Sequence, residues 1–261
     1  MQAVGSFPFG QPVLPVLQQD RSVKRVFVLG VYSSAVHARW IGPDGRQLIG
    51  AVGVASEPAI FWRGDTAEAQ QIIASIKLPE GAGRLAPASA QLNGPSGVAL
   101  DDCFLAPMGV TREDAWLCDL VPHSCMNPGQ AKALAREYEP RASEFGLPAV
   151  DWPDLPSELC SDSRRQEICD EIAQAEPEVL VTLGDEPLRW FTSQYGSKRR
   201  LSDYGRDLAD YGRLHPLVIN GRKLELLPLV HPRQAAALGT HSGDWFALHG
   251  AWMAANSETA A

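Results

Sequence analysis

The chain has 261 residues, 45% hydrophobic and 21% charged, an ordinary globular composition that argues against disorder, collagen and coiled coil. At roughly 150 residues per domain this length allows one large domain or two small ones, and no boundary in the sequence is strong enough to divide it. The 31 acidic residues outnumber the 23 basic ones, and the net charge of −8 argues mildly against non-specific phosphate binding, though not against a local basic face.

The elements follow in chain order. A proline-rich segment, 1–23, precedes a core of about 24–255. Phe7 and Phe9 read as core residues rather than a lid. Val26–Leu29 is a short apolar run bounded by basic residues and Gly30, as expected of a strand buried on both faces. Leu48–Ala55 is a second strand. Asp65–Lys77 is a helix with Ala67, Ile72, Ile73 and Ile76 on one face. The Pro-, Gly- and Ser-rich stretch 79–97 reads as loop, and Ala115–Val121 as a strand ending at Pro122. Asn127–Tyr138 is helical, with Asn127 as N-cap and Pro128 in the first turn. A proline-punctuated connection, 140–156, leads to a polar helix, Ser157–Ala175. Val179–Leu183 is a strand, and Gly184 opens the helix Asp185–Ser193. After a polar, basic stretch, 196–223, come a last strand, Leu224–Val230, and a closing helix, Thr240–Ala255. Strands alternating with helices imply a three-layer α/β domain, an αβα sandwich with a mostly parallel central sheet.

Cys103, Cys118, Cys125, Cys160 and Cys169 form no C-x2-C pair. Zinc and iron–sulfur sites are therefore disfavoured, no cofactor is expected, and a reduced, cytoplasmic compartment fits best. His241, Asp244 and His249 are spaced poorly for a metal. The opening MQAVGSFPFGQPVLPV lacks a basic start and is broken by prolines, so it reads as neither a signal peptide nor a membrane span.

In open α/β sheets ligands bind beyond the carboxyl ends of the strands. That rule selects Gly30–Ser34, Asp119–His123 and His231–Gln234. Gly30 followed by Val31, Tyr32, Ser33 and Ser34 allows a ligand close to the backbone; it is equally a plain strand-to-loop turn. Asp119 interrupts an apolar run, where a carboxylate needs partners, be they backbone amides, an arginine or a ligand. His231-Pro232 makes a rigid loop that projects an imidazole, alone more often structural than catalytic. Phe61 and Trp62 follow the second strand and would either stack on a base or join the core. Segment 196–223 holds seven basic and three acidic residues, so Lys198, Arg199 and Arg200 read either as phosphate contacts or as a solvated loop.

Taken in order, the three strand ends resemble the uracil-DNA glycosylase superfamily. Gly30-Val31-Tyr32-Ser33-Ser34 is similar to its G-x-x-P type motif, and Cys118-Asp119-Leu120-Val121 to its T-N-L-V type strand with a base-reading Asn. His231-Pro232-Arg233 is similar to its H-P-S type loop, and VLVTLGDEPLRWF, 179–191, to its penultimate strand–Gly–helix unit. The resemblance implies a monofunctional DNA glycosylase acting as a monomer, without membrane, metal or iron–sulfur cluster. It would flip a pyrimidine out of DNA and leave an abasic site. Catalytic roles fall to His231, bonded to O2 of the leaving base, and to Asp119. Gly30, Val31, Tyr32, Ser33, Ser34, Phe61 and Asp119 would bind the base. Arg233 and Gln234 would brace the groove, with Lys198, Arg199 and Arg200 on phosphates.

Three departures from the family pattern matter. Tyr32 replaces the usual acid or amide that handles water. Ser34 is small where some relatives close the pocket beside C5 of the pyrimidine. Asp119 replaces Asn, and an ionised carboxylate only accepts hydrogen bonds, which suits the N4 amino group of cytosine and opposes O4 of uracil. Alternatively Asp119 is protonated, or activates water in place of Tyr32. These changes imply a C5-modified cytosine, hydroxymethylated or glucosylated as in some bacteriophage DNA, and hence antiviral defence. Plain uracil repair and a catalytically inactive nucleic-acid-binding protein remain the alternatives. A Ser/His hydrolase using Ser33 or Ser34 with His231 lacks a G-x-S-x-G elbow.

Overall fold

The computed structural model describes residues 2–237 and 243–257, the side chain of Ala90 excepted. In chain order the strands are β1 (Gly5–Ser6), β2 (Pro12–Val13), β3 (Val26–Tyr32), β4 (Ala35–Ile41), β5 (Gln47–Ser56), β6 (Arg84–Pro87), β7 (Ala115–Val121), β8 (Val179–Leu183), β9 (His215–Ile219) and β10 (Arg222–Leu229). The α-helices are α1 (Thr66–Ser75), α2 (Pro95–Leu100), α3 (Pro128–Ala133), α4 (Glu139–Phe145), α5 (Asp162–Ala175), α6 (Asp185–Trp190), α7 (Pro232–Ala235) and α8 (Gly243–Ser257). The chain groups into two compact units. One comprises Met1–Val16, Tyr32–Gly97 and Pro122–Pro156, the other Leu17–Val31, Val98–Val121 and Ser157–Ala261.

The second unit holds the central sheet, in the order β7-β3-β8-β10-β9. β8 pairs in parallel with β3 (Phe27↔Leu180) and with β10 (Leu227↔Val181). Every residue of β7 is buried, as are Val26–Gly30 of β3, which matches their continuous apolar runs. Helix α5 lies against β7 and α6 against β8. This is the expected α/β class with a mostly parallel sheet.

The edge strand β9 lies inside the stretch expected to be a polar loop. It pairs antiparallel with β10 through Asn220 and Gly221, both left-handed (φ +48° and +83°). Asn-Gly flanked by alternating residues is a strong hairpin signal, so this strand was legible.

The first unit carries a separate antiparallel sheet, β5-β4-β6. The expected second strand is thus β5, outside the parallel sheet, while β6 lies in the stretch expected to be loop and β4 where no element was expected. β4 begins only two residues after β3, too close for the sequence pattern to separate them. Phe7 and Phe9 are buried as expected. Phe9 stacks edge-on against Trp40 and Tyr138, and Phe7 tilts against Trp152.

Cap chemistry sets several helix ends. Asp65 accepts from Glu68 N, and Asn127 from Gly129 N and Gln130 N. The long polar helix starts at Asp162 rather than at Ser157, because Ser161 is the cap, with its hydroxyl accepting from Arg164 N. The helix expected to end at Tyr138 continues to Phe145. A π turn over Leu134–Tyr138 precedes Pro140, which lacks the N–H that regular helical bonding would use there.

Candidate active site

A cavity of about 270 Å³ opens at the carboxyl ends of β8 and β10. It is lined by His231 and Gln234, by Gly184, Asp185 and Glu186 after β8, and by Arg206 and Trp245, among others. Gly184 N donates to Leu229 O at 2.8 Å and so ties the two strand ends together. Gly184 is left-handed (φ +89°), and a Cβ there would lie 3.2 Å from the His231 Cβ. Only glycine lets the loop after β8 approach the histidine this closely.

His231 caps α7. Its Nδ1 accepts from Arg233 N at 3.2 Å, and its own N–H donates to Gln234 Oε1 at 3.3 Å. Nδ1 is thus an acceptor, so the neutral ring carries its proton on Nε2. Burial, helped by the charge of Arg233, pushes the imidazole pKa down to about 4. His231 is a neutral hydrogen-bond donor at pH 7.

The sign of the pH dependence follows. Acid below about 4 protonates Nδ1 and opposes the Arg233 N–H bond. Titration of His231 should leave activity level from about pH 5.5 to 8 and lower it as pH drops through about 4. A pH–rate profile checks this; a limb near 6.5 that disappears in a His231 variant would contradict it.

Asp119 is buried near the end of β7, 3% exposed. It does not line the cavity that holds His231. Its backbone carbonyl accepts from Arg164 Nη2 at 2.7 Å.

Of the other expected site residues, Val31 lines the cavity with His231 and Gln234, whereas Gly30, buried in β3, does not. Tyr32, Ser33, Ser34 and Phe61 belong to the other unit. Tyr32 is exposed and Ser33 buried, and Ser33 with Ser34 forms the link from β3 to β4. Phe61 is half-buried and left-handed (φ +50°), a costly conformation for an aromatic residue, whereas Trp62 is buried and donates Nε1–H to Glu68.

Arg233 is exposed. Lys198, Arg199 and Arg200 are exposed too and run straight into the 3-10 turn Leu201–Tyr204, where Leu201 and Ser202 line the cavity. Asp185 accepts from Leu201 N at 2.7 Å and fixes that turn. Lys198 Nζ donates to Asp203 O and lies over the Tyr204 ring. If this run touches phosphates, reversing its charge should weaken binding to every DNA sequence and flatten the salt dependence by about one unit of slope per lost contact. An unchanged slope in a salt titration would return the run to a solvated loop.

Gly184, Asp185, Glu186, Ser202, Arg206 and Trp245 were not expected in a site. The strand-end rule applied to β8 would have found the first three. Ser202, Arg206 and Trp245 reach the cavity only through the tertiary fold. Both ring nitrogens of His249 are occupied: Nε2 donates to Cys103 O at 2.9 Å, and Nδ1 accepts from the Tyr211 hydroxyl, which itself accepts from Val230 N. Asp244 stands in the first turn of α8, and His241 lies outside the described residues. Among the described residues no cluster of three or more His, Cys, Asp or Glu could hold a metal ion, and no helix is long and apolar enough to cross a membrane.

A search of curated proteins finds no match to the chain. The family model of the Uracil DNA glycosylase superfamily matches residues 85–249, more than half of the chain. The matched span includes Asp119, Gly184 and His231 but not Gly30–Ser34. Superfamily membership supports DNA binding and DNA glycosylase chemistry at that general level. With its αβα fold and a neutral histidine at the last strand end, the chain belongs to the uracil-DNA glycosylase superfamily.

Proposed function

We propose that the protein is a monofunctional DNA glycosylase, a cytoplasmic monomer, that excises a C5-substituted cytosine, hydroxymethylated or glucosylated, from bacteriophage DNA. The reading rests above all on one observation: a neutral His231 with its proton on Nε2 lines a cavity at the strand ends. The N-glycosidic bond breaks with its electron pair passing to the base. His231 donates to O2 and stabilises that negative charge without losing its proton. Water adds to the sugar carbon, and its proton passes through solvent to the departing base anion, giving an abasic site and a neutral free base. Among the described residues no lysine lines the cavity, so a Schiff-base lyase step has no support.

The substrate assignment draws on the residue types at the family positions of Asp119 and Ser34, neither of which lines the His231 cavity, and separately on the cavity walls. Asp185 and Glu186 put negative charge in the cavity wall, with Asp185 accepting from Leu201 N and Glu186 from Arg189 and Trp190, and Trp245 stands beside them. A hydroxyl-rich substituent suits those walls better than a phosphate does. Sparing ordinary cytosine requires contacts to the substituent itself.

The test is a panel of duplex and single-stranded oligonucleotides carrying uracil, cytosine, 5-hydroxymethylcytosine or its glucosylated form. Alkali-labile breaks confined to the C5-substituted cytosines are expected. Efficient cleavage at uracil alone would replace this reading with uracil repair.

A further inference from the structure

Strand β7 is an edge of the central sheet, yet all seven of its residues are buried. A buried edge needs partners for its outward-facing polar groups. Helix α5 supplies one side chain for several of them at once. Arg164, 8% exposed, donates from Nη2 to Asp119 O at 2.7 Å and to Cys118 Sγ at 3.1 Å, and from Nε to Leu120 O at 3.2 Å. Its Nη1 donates to Glu167 at 2.9 Å and to Glu171 Oε1 at 3.3 Å. These contacts engage all three guanidinium nitrogens. Glu171 is buried as well, and its Oε2 accepts from Trp116 Nε1 at 2.7 Å, so the carboxylate anchors the guanidinium to the same strand.

An apolar side chain would fill this space without the cost of desolvating an ion pair, which stability alone seldom repays. The network's distinctive effect is geometric. It locks residues 118–120, inside β7, to α5 through a planar fork centred on the Asp119 backbone. We infer that Arg164 is a positioning residue that holds the Asp119 backbone in the register needed for base discrimination. The inference rests on Asp119 being a base-contacting group. Arg164 touches no substrate and acts only through Asp119. Lysine cannot replace it, because a single ammonium cannot reproduce the fork across two consecutive carbonyls and a sulfur.

The experiment compares Arg164→Lys, Asp119→Asn and the control Asp170→Asn, an exposed α5 residue that accepts from Gln166, on duplexes carrying uracil, 5-hydroxymethylcytosine or its glucosylated form. The readout is the ratio of kcat/KM between bases, which does not depend on the fraction of folded protein. Arg164→Lys should lower turnover about 10²-fold with KM nearly unchanged, as misplacement of about 1 Å does, and should erode the base preference about tenfold. Asp170→Asn should leave the ratio intact. Should Arg164→Lys fail to fold, Glu171→Gln loosens the same guanidinium and is read in the same way. A shifted ratio in Asp119→Asn with an intact ratio in the Arg164 and Glu171 variants overturns the positioning role and leaves the reading of Asp119 standing. An unshifted ratio in Asp119→Asn overturns both.

Discussion

His231→Ala is expected to lower turnover on bound DNA by about 10²–10³-fold, the cost of removing one preorganised donor from a developing negative charge. DNA affinity should change far less, because binding draws mainly on phosphate contacts elsewhere. The size of the effect follows from the ring's state. With Nδ1 held by Arg233 N and the pKa pushed down to about 4, the imidazole presents Nε2–H throughout the working pH range. No proton has to be gained first, and the capping bonds on α7 fix the ring before substrate arrives. Alanine also removes the Arg233 N–H acceptor, so a loss of stability of about 1 kcal/mol should accompany the loss of turnover. Single-turnover kinetics at saturating protein separates the two effects. Full activity in the variant would remove His231 from the mechanism.

The second large effect concerns base choice. Asp119→Asn should shift preference toward uracil by one to two orders of magnitude, because a mispaired buried polar group costs about 1–3 kcal/mol. Asparagine offers a donor to O4 and an acceptor for N3–H, whereas an ionised carboxylate only accepts. A bulky residue at position 34, such as Ser34→Tyr, should block C5-substituted cytosines while leaving DNA binding intact. Competition between two labelled duplexes measures both shifts. Unchanged base preference in both variants would end the argument from Asp119 and Ser34.

Much of this architecture was legible in the sequence because its signals were local. The buried strands β3, β7 and β8 are largely apolar runs bounded by Gly or Pro, with Asp119 interrupting β7. Asn127 and Asp65 act as caps where their side chains lead into apolar periodicity. His231 was legible through the rigidity that Pro232 gives a strand end. Other features depended on contacts distant in sequence. The carbonyl chemistry of Arg164 is invisible in a helix that reads as polar surface. Arg206 and Trp245 reach the cavity from segments with no motif. The start of α5 was missed because the cap is Ser161, whose hydroxyl accepts from Arg164 N, four residues after the expected start at Ser157. The hairpin at Asn220-Gly221 was readable but was masked by the charge of the surrounding stretch. The tautomer of His231, on which the proposed chemistry turns, requires knowing that Arg233 N lies 3.2 Å from Nδ1.

The most direct test of the central claim is the identity of the released product. Wild-type protein is incubated with a duplex containing glucosylated 5-hydroxymethylcytosine and, separately, with one containing uracil, and the small-molecule fraction is analysed by mass spectrometry. The account predicts free cytosine base with its C5 substituent intact, together with an equal amount of abasic sites in the DNA. Release of uracil alone, or DNA binding with no free base from either duplex, would contradict it.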